Sequence, residues 1–281
     1  MKSILRSGLR FYLARCPVTE GKGRLYRLLA ERLLPAEREV VATLDPGFRM
    51  ALDLTDEIQR EIYFFGTYER KETSLIRRLL RPGDVFWDVG ASIGFYALTA
   101  AACVGRDGRV VAFEPFPPAW DRLQNNIRLN SFDNIHCVHA AVGAAPGAAD
   151  RFFDRSVTDG VAPLAPAPGQ TSKVTCRLIS IDPFLSETGE RPPLVLKADV
   201  EGSEMAVVAG AAKLLSGSTP PMLLLEMEDE QFARHHTSKA EIQTYLAGCG
   251  YAAYELKGRR WIRCGDVRGA RCRNFLWVRT D

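Results

Sequence analysis

The stretch that decides the fold is residues 85–94, which read VFWDVGASIG. Its first half is a nearly continuous apolar run, as expected for a strand that is buried on both faces of a parallel sheet. Its second half places Gly90 and Gly94 around a tight bend that opens a helix. Ligands of open α/β sheets bind beyond the carboxyl ends of the strands, so the bend predicts a ligand site.

The spacing of these glycines argues against a dinucleotide. A Gly-x-Gly-x-x-Gly motif that begins at Gly90 would need glycine where Ser92 and Phe95 stand. A pyrophosphate requires that bare backbone, whereas a methionine-like tail with an amine and a carboxylate does not. We interpret Asp88, just before the bend, as an acceptor for a ligand ammonium or as the group that holds the amides of the loop.

A second acidic residue follows the next predicted strand. Glu114 ends the apolar run 110–113, and Pro115 then directs the chain away. A carboxylate at this position can accept hydrogen bonds from both ribose hydroxyls of a nucleoside. Asp88 and Glu114, separated by one helix and one strand, together predict a nucleoside site rather than two unrelated strand caps.

Helical and strand-like segments alternate along the rest of the chain. Strands are predicted at 85–89, 109–114, 135–139, 194–199, 222–227, 251–256 and 274–279, and helices at 94–104, 117–130, 203–216 and 238–248. This alternation predicts a doubly wound α/β fold with a mostly parallel sheet of seven strands. No clear helix joins the last two strands, so one of them is expected to be antiparallel. The segment 143–172, rich in Ala, Pro and Gly, is predicted to be a loop.

Residues 1–70 are predicted to form an extension ahead of a main domain at 71–281. The extension comprises two amphipathic helices and a β-hairpin around Asp45-Pro46-Gly47. Residues 1–16 carry basic but no acidic side chains. They are interpreted as a helix that docks on its own domain, which the continuing apolar stripe favours. The alternatives are a contact with a membrane surface and an organellar transit peptide.

Composition argues against several classes of protein. The chain has 37 basic and 34 acidic residues and a net charge of +3, which gives no basic stripe for nucleic acid. No apolar run reaches the about 18 residues of a membrane span. The seven cysteines include no Cys-x-x-Cys pair, which argues against a zinc site or a disulfide framework and predicts a reducing, cytoplasmic compartment. No pattern indicates an oligomeric state.

Several motifs, in order, resemble those of the FkbM-type methyltransferases. They are DVGASIG at 88–94, FEP at 113–115, Leu123-x-x-Asn126 and KADVEGSE at 197–204, preceded by IQREIYFFGTYE at 58–69. The resemblance covers about residues 40–230 and implies the Rossmann-like class I methyltransferase fold. It also implies S-adenosylmethionine as cofactor and O-methylation of sugars, polyketides or similar alcohols. Two departures are Ser92, where the family usually has Asn, and Ala198, where it usually has Ile.

The resemblance also assigns cofactor contacts. It places the cofactor against Asp88, Gly90, Ala91, Ser92, Gly94, Glu114 and Pro115. Tyr68 and Glu69 are expected to cover it from the extension, and Ala141 is expected to leave room for the flat adenine.

A charged cluster follows the fourth predicted strand of the main domain. Side chains alternate in a strand, so Lys197, Asp199 and Glu201 are expected on one face. Ionisable groups are costly to bury without partners, so the cluster is either a compensated ion network or a working site. We expect Asp199 or Glu201 to orient an acceptor hydroxyl or take its proton, with Lys197 tuning that carboxylate. His235 or His236 is the alternative base, unless both lie on a solvated loop.

The same cluster bears on metals and on rival functions. Asp199 and Glu226 end neighbouring predicted strands and could bind Mg²⁺ through oxygen, but no third ligand is identifiable, so no metal is predicted. An NAD(P)-dependent oxidoreductase conflicts with the glycine spacing. A nucleic acid methyltransferase would need an Asn/Asp-Pro-Pro-aromatic motif, and a non-catalytic nucleoside-binding protein would not need the charged cluster. The expected acceptor is a small molecule or a glycan.

Overall fold

The computed structural model describes residues 2–16, 20–153, 172–257, 260–270 and 272–280. Its strands, in chain order, are β1 (Glu39–Thr43), β2 (Arg49–Asp53), β3 (Val85–Val89), β4 (Arg109–Phe113), β5 (Ile135–Val138), β6 (Ala141–Val142), β7 (Gly147–Phe153), β8 (Ser172–Ile179), β9 (Val195–Ala198), β10 (Met222–Glu226), β11 (Tyr251–Lys257), β12 (Arg260–Cys264) and β13 (Asn274–Arg279). Its α-helices are α1 (Lys2–Arg15), α2 (Lys22–Leu29), α3 (Glu57–Phe65), α4 (Arg70–Leu79), α5 (Phe95–Val104), α6 (Pro117–Arg128), α7 (Ile181–Thr188), α8 (Glu204–Ala209), α9 (Ala212–Ser216), α10 (Asp229–Arg234) and α11 (Lys239–Gly248).

The central sheet has the order β12-β11-β13-β10-β9-β3-β4-β5. From β10 to β5 the strands are parallel, while β13 runs antiparallel to both β10 and β11. All seven predicted strands are therefore present, and one of the last two is antiparallel, as expected. The fold is doubly wound α/β. The chain winds outward from β3 to β5 and returns on the other side of β3 at β9, so the winding reverses between β3 and β9. A ligand is expected beyond the carboxyl ends of these two strands.

Strand β3 owes its central place to its apolar residues. All five are buried, and they serve two cores, because Phe86 packs in one cluster and Val85, Trp87 and Val89 pack in the other. A strand with both faces covered is typical of parallel sheets flanked by helices on each side.

The sheet has eight strands, so the predicted number of seven is wrong by one. The additional strand, β12, pairs antiparallel with β11 at the edge of the sheet. None of its residues is buried, and it reads RWIRC. A short, basic edge strand has no apolar alternation by which it could be predicted.

Two other segments also differ from prediction. The predicted loop 143–172 is wrong at residues 147–153 and at residue 172, which belong to β7 and β8 of a second, three-stranded sheet that also contains β6; residues 154–171 lie outside the described residues. The predicted helix 203–216 is divided into α8 and α9 near Gly210. A Cβ on Gly210 would lie 2.2 Å from the carbonyl oxygen of Gly143, so a close tertiary contact accompanies the break.

The extension shares a core with the sheet. Leu9 and Leu13 of α1 are buried, and they belong to the cluster that contains Met50 of β2 and Phe86 of β3. The interpretation of α1 as a helix docked on its own domain is thereby confirmed, and the boundary at residue 70 stays a prediction. No helix in the described parts of the chain is both long enough and apolar enough to cross a membrane.

Candidate active site

The bend after β3 requires its two glycines. Gly90 and Gly94 have φ angles of 84° and 96°, in the left-handed region that glycine adopts without strain. A Cβ on Gly90 would lie 2.0 Å from the backbone oxygen of Asp199, and one on Gly94 would lie 2.6 Å from a methyl carbon of Leu123. The bend therefore packs directly on the chain that leaves β9. Ser92 also has a positive φ, 48°, which asparagine tolerates well.

Glu114 fixes this bend from the neighbouring strand. Its buried carboxylate accepts hydrogen bonds from the amide of Ser92 at 2.7 Å and from the amide of Phe116 at 2.8 Å. Each carboxylate oxygen can accept more than one hydrogen bond. The expected contact of Glu114 with a ribose stays a prediction, and so do the cofactor contacts of Gly94 and Pro115.

A pocket of about 210 Å³ lies beyond the ends of β3 and β9. Its wall brings together seven of the predicted site residues, namely Tyr68, Gly90, Ala91, Ser92, Lys197, Asp199 and Glu201. It also contains residues that the sequence analysis did not assign to a site, among them Asp56, Gln59, Tyr96, Glu228, Gln231 and Arg273. Gln59 lies in the segment 58–69 that carries part of the family resemblance, and Tyr96 stands two residues after Gly94; the other four come from segments without a motif.

Lys197 is the buried cation of this pocket. Its side chain is 3% exposed, and its Nζ lies 3.0 Å from Oδ2 of Asp199 and 4.5 Å from the centre of the Tyr96 ring. Burial acts to lower the pKa of Lys197, but the carboxylates of Asp199, Asp88 and Glu69 outweigh it and raise the pKa above its ordinary value. The ammonium form is therefore retained inside the protein.

Asp199 and Glu226 form a carboxyl pair that holds one proton. Burial acts to raise the pKa of Asp199, but Lys197 and a hydrogen bond from Glu226 lower it. Burial and the negative charge of Asp199 raise the pKa of Glu226 to about 11. At neutral pH Glu226 is thus a carboxylic acid that donates to an ionised Asp199, since two adjacent carboxylates cannot both be charged at low cost.

Asp88 lies behind the pocket rather than in its wall. It is 1% exposed, and its oxygens make no hydrogen bond of good geometry with the described residues. Burial raises its pKa to about 6, against the opposing influence of Lys197 and of the Ala97 amide. The positive charge of Lys197 is the strongest influence that favours the ionised form of Asp88. The contact of Asp88 with the cofactor stays a prediction.

Tyr68 and Glu69 connect the extension to the site in different ways. Tyr68 lines the pocket. Glu69, with a φ of 38°, accepts hydrogen bonds from the hydroxyl of Tyr96 at 2.6 Å and from Nδ2 of Asn274 at 3.2 Å. Glu69 therefore joins α4 to α5 and β13, and its contact with the cofactor stays a prediction.

Glu201 reaches the pocket by a turn, not by strand alternation. Strand β9 ends at Ala198, and Glu201 has a φ of 54°. Its carboxylate accepts a hydrogen bond from Nε2 of Gln231 in α10. Strand alternation was expected to place Lys197, Asp199 and Glu201 on one face. This expectation is wrong beyond residue 198, where the strand ends, but all three side chains line the same pocket.

The turn also brings a third carboxylate, that of Glu201, close to Asp199 and Glu226, for which the sequence offered no third metal ligand. Oxygens of Asp199, Glu201 and Glu226 lie within 4.8 Å of one another. A cation there would compete with the ammonium of Lys197 and with the proton of the carboxyl pair. The expectation of no metal stays a prediction.

Three remaining candidates, Ala141, His235 and His236, are not part of the pocket wall. Ala141 is buried in β6, where it pairs with Leu178 of the second sheet, and its adenine contact stays a prediction. His235 packs close to Gly202, because a Cβ on Gly202 would lie 2.7 Å from Cδ2 of the histidine. His235 and the exposed His236 are not among the described lining residues.

Comparison with known proteins agrees with these features. The Methyltransferase FkbM domain matches residues 88–253. The hexuronic acid methyltransferase AglP of Haloferax volcanii is 35% identical over 160 residues, covering 52% of this chain and 59% of that protein. A protein-L-isoaspartate O-methyltransferase of Methanopyrus kandleri is 31% identical over 86 residues, covering 31% of this chain and 38% of that protein. The solved methyltransferase FkbM of Methylobacillus flagellatus KT has a TM-score of 0.45 at 16% identity, covering 79% of this chain and 55% of that one.

The chain thus spans about three fifths or less of the length of these two curated relatives. The matched domain takes up more than half of the chain and contains the bend, Glu114 and the charged cluster. This match confirms the class I methyltransferase fold and S-adenosylmethionine as the cofactor. The protein is a member of the FkbM methyltransferase family.

Proposed function

We propose that this protein transfers a methyl group from S-adenosylmethionine to a hydroxyl oxygen of a sugar-like small molecule or a glycan. The observation that carries the proposal is the position of the Asp199–Glu226 pair. It lies in the wall that the glycine bend also forms, so a proton acceptor and the cofactor loop border one space.

The charge of the pocket suits this cofactor. Besides the protonated Glu226, the wall contains the acidic residues Asp56, Asp199, Glu201 and Glu228 against the cations Lys197 and Arg273. S-adenosylmethionine carries a sulfonium, an ammonium and a carboxylate, so its net charge is positive, and a wall with an excess of carboxylates complements it. When bound, the cofactor supplies an electrophilic methyl group.

Asp199 acts as the base in this proposal. The carboxylate of Asp199 would take the proton of the acceptor hydroxyl, whose oxygen would receive the methyl group that the bound cofactor would supply. Lys197 keeps that carboxylate ionised, and the hydrogen bond from Glu226 fixes its orientation. Alignment of the hydroxyl with the methyl carbon supplies a further part of the acceleration.

A sugar acid is the narrower proposal for the acceptor. It is supported by the likeness to AglP, whose name specifies hexuronic acid. It is also supported by Arg273, which lines the pocket, pairs with Glu228 at 2.6 Å and has a side chain that is 72% exposed. The donors of this guanidinium that face solvent at the rim can pair with the carboxylate of an acceptor.

We further propose a carbohydrate rather than a nucleic acid as the partner, and the cytoplasm as the location. The net charge of +3 gives little attraction for phosphate chains. The seven cysteines are all unpaired thiols, as expected in a reducing compartment.

An acceptor panel tests the proposal. The purified protein is incubated with a deuterated methyl donor and with hexuronic acid glycosides, neutral sugars and RNA, and the products are read by tandem mass spectrometry. We expect label on a ring hydroxyl of a hexuronic acid, and about 10²-fold less or lower still with D199N. Label on RNA or on nitrogen, or no transfer to any hydroxyl of the panel, would contradict the proposal.

A further inference from the structure

Helix α1 has two apolar faces, and only one of them is covered. Leu9 and Leu13 are buried against the domain. Ile4 and Phe11, seven residues apart and therefore on a common face, are 76% and 72% exposed. Two large exposed side chains on one face of a helix with several basic residues are typical of helices that lie on a membrane surface.

A strongly basic cavity adjoins this uncovered face. It has a volume of about 570 Å³ and lies between α1, the β1–β2 turn, α3 and α4. Its charged lining, within the described residues, consists of Arg10, Arg15, Arg70, Arg77 and Arg78 against the single carboxylate of Asp45. Phe11 is part of the same lining. The apolar face and the basic cavity therefore form one continuous surface.

Packing holds several of these arginines in place. Arg10 donates from Nε to the carbonyl of Tyr63 at 2.9 Å, and its guanidinium lies 4.0 Å from the centre of the Tyr63 ring. Arg70 donates to the carbonyl of Leu13. These contacts order the cations before any ligand arrives.

Arg77 has donors that the described residues do not satisfy. One nitrogen pairs with Asp45, but Nε and Nη2 are buried and have no hydrogen-bond partner in the described parts of the chain. These two nitrogens are closed off from the cavity, so only the exposed part of the Arg77 side chain can meet a ligand. A guanidinium matches the geometry of a phosphate group, and five guanidinium groups against one carboxylate make the cavity suited to a phosphate-bearing ligand.

We propose that α1 and the basic cavity dock the protein on an anionic phospholipid surface. Ile4 and Phe11 enter the interfacial region, and the arginines meet the headgroup phosphates. The charge supports this occupant, because Arg10 and Arg15 of α1 join Arg70, Arg77 and Arg78 in the cavity beside Phe11, against one carboxylate. The inference is independent of the methyl transfer proposed above. Helix α3 separates the two sites, since Ile62 lines the reaction pocket while Tyr63 and Phe64 line the basic cavity.

Vesicle co-flotation of the full chain tests this inference. We expect binding to vesicles of equal parts phosphatidylglycerol and phosphatidylcholine, and little binding to pure phosphatidylcholine. Salt at about 1 M, where the Debye length is only about 3 Å, should release most of the protein. I4S/F11S should lower binding about ten-fold or more through lost apolar burial. R15Q/R78Q should lower it about five-fold per charge removed.

Leu28→Ser is the matched control. Leu28 is 66% exposed on α2 and outside the cavity lining, so this variant should bind like the wild type. Equal binding to both kinds of vesicle, unchanged binding of I4S/F11S, or an equal loss in L28S would overturn the inference. Binding of soluble glycerol phosphate without vesicle binding would overturn it too, because the cavity would then serve a free phosphate.

Discussion

The cofactor side of the pocket and its reaction side are stabilised in different ways. On the cofactor side, backbone amides of the bend and of the β4 exit bind one carboxylate, Glu114, and two glycines allow close packing. On the reaction side, Lys197, Asp199 and Glu226 are ionisable side chains of neighbouring strands that lie in one another's field. The cofactor side therefore depends on local chain geometry. The reaction side depends on ionisable groups whose protonation states are coupled to one another. Substitutions should act differently on the two sides.

The largest effect is expected from removing the base on the reaction side. D199N should lower the rate of methyl transfer about 10²- to 10⁴-fold, the range for loss of a general base. E226Q should stay within about ten-fold of the wild type, because glutamine resembles the protonated Glu226 that burial and Asp199 maintain. Single-turnover rates with saturating cofactor measure both. Equal losses in the two variants would mean that Glu226 works as a carboxylate.

Removal of the buried cation should be the next largest effect. K197M leaves Asp199 and Asp88 without their positive partner and should cost about 3–5 kcal/mol of unfolding free energy, measured with urea. K213M, at an exposed lysine, should change it little. The double variant K197M/D199N should regain part of the loss, because one uncompensated charge is gone. An additive double variant would show that the pair is not coupled.

A smaller, pH-dependent effect is expected from Asp88. Burial raises its pKa to about 6, above the about 3.9 of an unfolded chain. The folded state therefore binds this proton more tightly, so the stabilisation is complete below about pH 4 and is lost as the pH rises through about 6. Between pH 4 and 7 the wild type should lose up to about 3 kcal/mol more unfolding free energy than D88N. D107N, at an exposed position, should follow the wild type, and a D88N curve parallel to both would contradict the assignment.

The smallest effect is expected on the cofactor side. E114Q should weaken binding of S-adenosylhomocysteine about ten-fold, through one weakened hydrogen bond to a charged group. The 2′-deoxy analogue removes one of the two ribose hydroxyls that Glu114 is expected to bind, so wild type and E114Q should differ less with it. If the penalty is the same with both ligands, Glu114 acts only by holding the bend.

The cofactor side was the more predictable one from sequence. The bend and Glu114 lie in contiguous motifs next to apolar strands, and chain geometry alone brings them together. The partners on the reaction side come from separate segments: Gln231 from α10, Tyr96 from α5 and the proton of Glu226 from burial beside Asp199. Such states depend on tertiary distances that no local pattern contains.

The same limit applied to the fold. The central parallel strands are apolar and predictable, whereas β7 and β12 are defined by their pairing with β8 and β11. Helix α3 had a local signal that was overlooked, since the side chain of Asp56 caps it by accepting a hydrogen bond from the amide of Gln59 at 2.8 Å.

Calorimetric titration of S-adenosylmethionine into the wild type, D199N and E114Q tests most directly whether the two sides have separate roles. We predict that D199N, although slow in transfer, binds the cofactor within a few-fold of the wild type, while E114Q binds it about ten-fold more weakly. Loss of cofactor binding in D199N together with normal binding in E114Q would contradict this prediction.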